Sequence, residues 1–237
     1  MEINYYQLQI FNARAKRHST EGEENTLGYM NFDGVPSVGN APKQLIKDKT
    51  SLADFYLSSS DLGSRKIISS RVKELFERIR LENVRYIPCP IHQGKKVFKE
   101  FWITDVIHFD DNEVDFNLSK FELCEGWVEE EVNGIPVKFG ERFTEIKFQN
   151  LGEKLEFEKN KLNHLSKIRT VTLFIKQDCL FPFIYLKEFG IYDIIISNKL
   201  KEAIQQQKMD KGIEFKPLEI PEEEWGGPNG LRKQFYS

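Results

Sequence analysis

The sequence contains no apolar run long enough for a bilayer. Its longest apolar stretch, residues 189–197 (FGIYDIIIS), is interrupted by Asp193 and falls far short of the ~20 residues that a helical span needs. The start, MEINYYQLQIF, has no basic segment followed by an apolar one, which argues against a secretory signal and predicts a cytoplasmic protein with no membrane partner. Basic excess is also missing: 34 Lys and Arg stand against 37 Asp and Glu, a formal charge of −3. Without it the chain lacks the electrostatic footprint that a nucleic-acid backbone requires, so no nucleic-acid partner is expected. Cysteine is scarce, with Cys89, Cys124 and Cys179 widely and unevenly spaced. That spacing argues against a disulfide framework and a CxxC metal site, and predicts buried or half-buried free thiols. Glycine motifs are absent too. There is no Gly-x-Gly-x-x-Gly, Gly-x-Ser-x-Gly or phosphate-loop sequence, and the GGPNG of residues 226–230 lacks the following Lys-Ser or Lys-Thr and reads as a surface turn.

What the chain does have is aromatic bulk. Aromatics make up 13% of the 237 residues, with 19 Phe, and each such side chain buries roughly 150–250 Å². With 40% hydrophobic residues the chain can bury one large core or two small ones.

Residues 3–11 alternate polar with aromatic or aliphatic side chains and read as an opening strand. Residues 12–42 are rich in Gly, Asn, Ser and charge, with Asp33-Gly34 and Gly39-Asn40 as turn signals, and read as loop. After Ser69-Ser70, the residues Val72, Leu75, Phe76 and Ile79 form one helical stripe, with a serine placed to cap the first turn. Residues 84–91 (VRYIPCPI) read as a strand that Pro88 and Pro90 confine to an edge or end early. Residues 98–109, 137–148, 170–175 and 191–196 are further strand candidates, and Asn133-Gly134 marks a hairpin turn.

The sequence also echoes itself. IISSRVKELFE at 67–77 and IISNKLKEAIQ at 195–205 share the order strand end, Ser, basic residue, Val or Leu, Lys-Glu, apolar. VRYIP at 84–88 and IEFKP at 213–217 follow them. The pattern predicts two copies of a strand, Ser-capped helix, strand unit, with Leu200, Ala203 and Ile204 as the second helix's buried stripe. Chance reuse of Lys-Glu in amphipathic helices is the alternative. Together these features predict an α+β fold with a mixed, mostly antiparallel sheet and two Ser-capped amphipathic helices. The expected divisions are an N-terminal strand and long loop (1–50), an α+β domain (51–220) and a C-terminal tail (221–237).

Catalytic candidates are sparse. His18, His92, His108 and His164 lack the i, i+4 spacing of a zinc pair, so no metal site and no cofactor are expected. Asp110, Asp111 and Asp115 upstream of Glu145-Ile146-Lys147 loosely fit the Asp…Glu-x-Lys pattern of metal-dependent nucleases. The wet face of a half-buried strand gives the same letters. Two acidic triplets sit beside tryptophans: Glu129, Glu130 and Glu131 after Trp127, and Glu222, Glu223 and Glu224 before Trp225. These eight residues are the expected partner-binding set, with Trp anchors supplying contact energy and rim charges setting on-rate and register; a solvated charged face is the alternative.

Several runs carry a family resemblance. Ala53-Asp54-Phe55, the run IISSRVKELF at 67–76, VRYIP at 84–88, FWITDV at 101–106 with Asp115 and Ser119, and the closing residues 194–218 with Ser197, Leu200, Lys201 and GIEFKP at 212–217 resemble an immunity family of bacterial polymorphic toxin systems. The likeness is to the eleventh numbered immunity family, first catalogued as a domain of unknown function in myxobacteria, and covers about residues 50–220. It implies a non-enzymatic protein that binds and neutralises a cognate toxin without covalent chemistry, and it carries over no catalytic residues. The alternatives are another regulatory or scaffold binding protein, or the metal-dependent nuclease.

Overall fold

The computed structural model describes residues 5–11, 16–17, 39–41, 43–47, 51–126, 128–133, 135–139, 142–162 and 166–236. Strand β1 (Tyr5–Ile10) is followed by the short β2 (Lys16–Arg17) and β3 (Gln44–Leu45). Next come β4 (Phe55–Leu57), β5 (Lys66–Ser69), helix α1 (Ser70–Ile79), β6 (Val84–Pro88), β7 (Ile91–Gln93), β8 (Lys96–Phe98) and β9 (Phe101–Val106). A β-rich stretch holds β10 (Lys120–Glu125), β11 (Val128–Val132), β12 (Ile135–Phe139) and β13 (Arg142–Ile146). Then follow α2 (Leu151–Lys161), β14 (Ser166–Thr172), β15 (Phe183–Ile184), β16 (Ile195–Ser197), α3 (Asn198–Gln206) and β17 (Ile213–Pro217). Two short helices, α4 (Glu222–Gly226) and α5 (Arg232–Phe235), complete it. The fold is α+β. Its strand pairings are antiparallel, apart from β3 with β7 among the described residues.

The internal echo is a structural duplication. One sheet has the order β4-β5-β9-β6 and another β15-β16-β1-β17; every pairing in both is antiparallel. In each, a Ser-capped helix links two parallel strands across a central antiparallel one. Ser69 Oγ accepts the Val72 amide and Ser197 Oγ the Leu200 amide, each at 3.4 Å. The registers also coincide. Phe55 pairs with Ile68 as Phe183 pairs with Ile196, and Trp102 lies between Ile68 and Pro88 as Tyr6 lies between Ile196 and Pro217. A chance reuse of letters would not reproduce strand order, direction and register together. The central strand, however, follows the unit in the first half and comes from the N-terminus in the second.

Period-2 alternation then sorts the core. One face of each sheet, with Ile68 and Phe55 or Ile196 and Phe183, meets both helices in a shared cluster that includes Val72, Leu75, Phe76, Leu200 and Ile204. The opposite faces serve separate clusters, one with Ile67, Ile103 and Ile91 and one with Ile195, Phe121 and Phe189. Phe76 of α1 stacks on Phe183 of β15 at 4.7 Å between centroids, joining the halves. Cys89 and Cys124 are buried and Cys179 is half-buried, and none of the three forms a disulfide.

Several expectations need correction. Ile79 is 38% exposed, because α1 ends there and its last turn projects beyond the sheet. Ala203 is only partly buried. The single strand expected at 137–148 is parts of two, β12 and β13; that at 170–175 lies earlier, at Ser166–Thr172, and only the last residues of 191–196 are strand. Helix α2, capped by Asn150, was not expected. Residues 50 and 220 are not packing boundaries either: β1 is bonded on both sides within the second sheet, and α4 buries Trp225. The hairpin turn is present, with Val132 paired to Ile135 and Asn133 at φ 56°. Most of the loop expected at 12–42 lies outside the described residues.

Candidate functional site

A cleft of about 880 Å³ lies where the two halves meet the C-terminal helices. The end of β1 supplies Phe11, the β4–β5 connection supplies Ser60 and Ser64, the segment before β16 supplies Tyr192 and Asp193, and α4 and α5 supply Glu222 and Arg232. At its floor Lys66 Nζ reaches Asp193 Oδ1 at 2.6 Å, and Gln7 Nε2 donates to Asp193 Oδ2 at 2.8 Å.

The duplication explains the width. The first half has a counterpart hollow of only about 40 Å³, lined by Arg65, Asp105, Phe109, Leu186 and Tyr192 among others. The chain from Phe55 to its partner Ile68 is as long as that from Phe183 to its partner Ile196, and each turns through a glycine at φ 68°, Gly63 and Gly190, a conformation that side-chain-bearing residues rarely adopt. Corresponding positions differ in bulk, however. Ser58 and Ser64 in the first connection stand where Leu186 and Tyr192 stand in the second. The side bordered by Ser64 stays open.

Aromatic side chains gather at this cleft. Among the described residues, the exposed large aromatics are Phe11, Phe143, Tyr192, Phe235 and Tyr236. Phe11 and Tyr192 line the cleft, and Phe235 and Tyr236 pack on Trp225 in its wall, at 5.5 and 6.3 Å between centroids. Trp225 itself is 1% exposed, which corrects its expected role as an accessible anchor. The segment that follows folds back to cover it, and a Cβ at Gly230 would overlap the Trp225 carbonyl. The GGPNG segment is thus the close turn that permits the return, and the Trp225 indole N–H is left buried with no hydrogen-bond partner.

Glu222, Glu223 and Glu224 are exposed in the first turn of α4, where the helix dipole favours negative charge. Two of them are paired: Glu222 Oε2 with Lys216 Nζ at 2.7 Å, and Glu223 Oε1 with Arg169 Nη1 at 2.8 Å. A hydrogen bond from its own backbone amide, then the Arg169 charge, holds the Glu223 carboxyl below the usual glutamate range. The triplet therefore anchors α4 as well as presenting charge. The backbone of Glu129, Glu130 and Glu131 lies in β11; Trp127 and those three side chains lie outside the described residues.

The Asp…Glu-x-Lys set is engaged elsewhere. Asp110 pairs with Arg80 at 2.6 Å, and Asp111 Oδ1 accepts the amides of Lys187 and Glu188. Asp115 Oδ1 accepts those of Asn117 and Leu118, while Glu145 and Lys147 point into solvent, 89% exposed in the lysine's case. Among the described residues no three His, Cys, Asp or Glu are grouped to hold a metal, and no helix is long and apolar enough to cross a membrane.

The cleft itself is not legible in the sequence. Phe11, Tyr192 and Arg232 are far apart in the chain, and only the return of β1 between β16 and β17 brings them together. No protein-family model matches the chain, and no curated protein matches it. The likeness to immunity proteins therefore rests on the residues quoted above.

Proposed function

We propose that the chain is a bacterial immunity protein, a cytoplasmic inhibitor that binds a cognate protein toxin non-covalently and catalyses no reaction. The observation that carries this reading is a cleft lined by the exposed Phe11 and Tyr192, with the exposed rings of Phe235 and Tyr236 packed on Trp225 in its wall. Exposed aromatics clustered beside charged residues are the usual makings of a protein interface, in which rings supply contact energy and rim charges supply rate and register. The resemblance at 67–76 and 84–88, residues that form the β5–α1–β6 unit, supports the same reading.

The test is co-expression with the protein encoded beside this chain. The expected result is co-purification as a stoichiometric complex and rescue of cells from that protein's toxicity. The double variant Phe11→Ala/Tyr192→Ala should weaken the complex at least tenfold while keeping its melting temperature. Absence of a complex with the neighbouring product, together with no protection, would sink the proposal.

A further inference from the structure

The two halves diverge in their charges at matched positions. In the first half, Asp105 of β9 lies between Arg65 and Arg85, 3.0 Å from each. Register places Gln9 of β1 where Asp105 stands, since Gln9 faces Glu214 as Asp105 faces Arg85. Glu214 thus takes the place of Arg85, and Asp193, just before β16, that of Arg65. Two guanidinium groups are replaced by two carboxylates, and their cations come from other parts of the chain. Lys66 answers Asp193; Arg232 of α5 answers Glu214, with Nε at 2.5 Å and Nη2 at 2.7 Å from its two oxygens.

These cations are held differently. Lys66 is buried within a sheet strand. Arg232 is 44% exposed on a four-residue helix, with its guanidinium 4.8 Å from the centre of the exposed Phe11 ring. Exposed ion pairs hold little on their own. The segment is also attached by the rings of Phe235 and Tyr236 on Trp225, by the Tyr236 hydroxyl, which accepts the Phe215 amide of edge strand β17 at 2.6 Å, by Lys233 Nζ, which donates to the Pro228 carbonyl, and by the Leu231 amide, which donates to the Glu224 carbonyl at 3.0 Å.

We propose that the seat formed by Glu214 and Phe11 receives an arginine from a basic, aromatic-bearing segment of the partner protein, which enters by displacing Arg232 and α5. The chain's own segment shows the chemistry that the seat accepts. A planar guanidinium meets a carboxylate through two hydrogen bonds and lies on an aromatic face, a match that lysine cannot reproduce. Three and four residues later come the rings that cover Trp225. With Arg232 withdrawn, Glu214 loses its cation beside the exposed Glu222, Glu223 and Glu224, so the surface becomes more acidic and favours a basic partner. The inference rests on the partner-binding reading and gives the chemistry of the segment recognised.

The probe is a fluorescent peptide with the sequence of residues 230–237, GLRKQFYS, titrated into the full-length chain. Arg232→Ala should bind it at least tenfold more tightly than the wild type, whose seat is already filled. Arg232→Lys should show a smaller gain, Arg232→Ala/Glu214→Gln should lose the gain, and a peptide with alanine for arginine should bind to none of them. Near-ultraviolet circular dichroism verifies that each variant is folded. Equal binding by wild type and both Arg232 variants, or a gain that survives Glu214→Gln, overturns the proposal. A concentration-dependent dimer of the wild type that Arg232→Ala abolishes also overturns it, because the occupant is then a second copy. The assay uses no toxin, so its failure leaves the toxin-binding reading standing, and failure of co-purification leaves the seat measurement standing.

Discussion

Lys73 and Lys201, 128 positions apart, each lie over two rings supplied by matching strands of their own half. Lys73 Nζ is 4.6 Å from the Trp102 ring centre and 5.6 Å from that of Tyr86. Lys201 Nζ is 3.9 Å from Tyr6 and 5.9 Å from Phe215. Such a contact contributes about 0.5–2 kcal/mol according to its exposure. Lys73→Met and Lys201→Met should therefore each lower stability in urea by about 1 kcal/mol, with exposed Lys95→Met as the unchanged control. A loss at only one lysine would show that the matched geometry is not matched in energy.

Arg80 and Asp110 join the halves through a buried pair. Arg80 Nη2 is 2.6 Å and Nη1 3.1 Å from the carboxylate, and Nη1 also donates to the Phe183 carbonyl at 2.8 Å. Removing one partner strands a buried charge, so Arg80→Met should cost about 3–5 kcal/mol. Arg80→Met/Asp110→Asn should recover part of that loss, because the amide oxygen can still accept the Tyr185 N–H now bonded at 3.1 Å. A double variant no better than the single one would place the cost elsewhere in the site.

Phe76 and Ile79 lie on the same helix and should behave oppositely. Phe76 is fully buried against Phe183, and truncation to alanine should cost about 3–5 kcal/mol. Ile79→Ala should change stability by less than about 0.5 kcal/mol, as surface positions do. Equal losses in equilibrium denaturation would contradict the packing of α1.

Burial raises the Asp111 carboxyl above its ordinary 3.8, against the opposing hydrogen bonds from Glu188 and Lys187. The folded chain then holds this proton more tightly than the unfolded one. Its contribution to stability is complete below the ordinary value and is lost as pH rises through the raised value. Asp111→Asn keeps an acceptor oxygen and does not titrate. Its stability relative to wild type should climb from about pH 4 upward and then level off, measured as denaturation midpoints across pH 3.5–7. A relative stability that falls over that range would reverse the sign.

Local features were legible in the sequence. The caps at Ser69 and Ser197, the stripe Val72, Leu75 and Phe76, the Asn133 turn and the halves' common pattern all depend on neighbours within one or two turns of chain. Helix α2 was not legible, because Leu151, Leu155 and Phe157 are spread among charges and its cap is Asn150. Strand order was equally hidden: nothing in YYQLQI tells a reader that β1 lies between β16 and β17. The acidic triplet with its tryptophan illustrates the limit. Its letters suggested an exposed anchor, whereas Trp225 is covered by Phe235 and Tyr236, whose position depends on the glycine turn between them. The Glu214–Arg232 contact joins residues 18 apart through a loop and two helices, and no periodicity marks it.

The central place of β1 also sets a timetable for biosynthesis. The β4-β5-β9-β6 sheet draws on residues 55–106 and can close as soon as they clear the ribosome. Strand β1 leaves earlier still, yet both its neighbours lie beyond residue 194. At the usual 5–20 residues per second the wait lasts roughly 10–40 s, during which Tyr6, Leu8 and Ile10 remain without their native sheet. The nascent chain thus carries an apolar strand without its native neighbours for most of its translation.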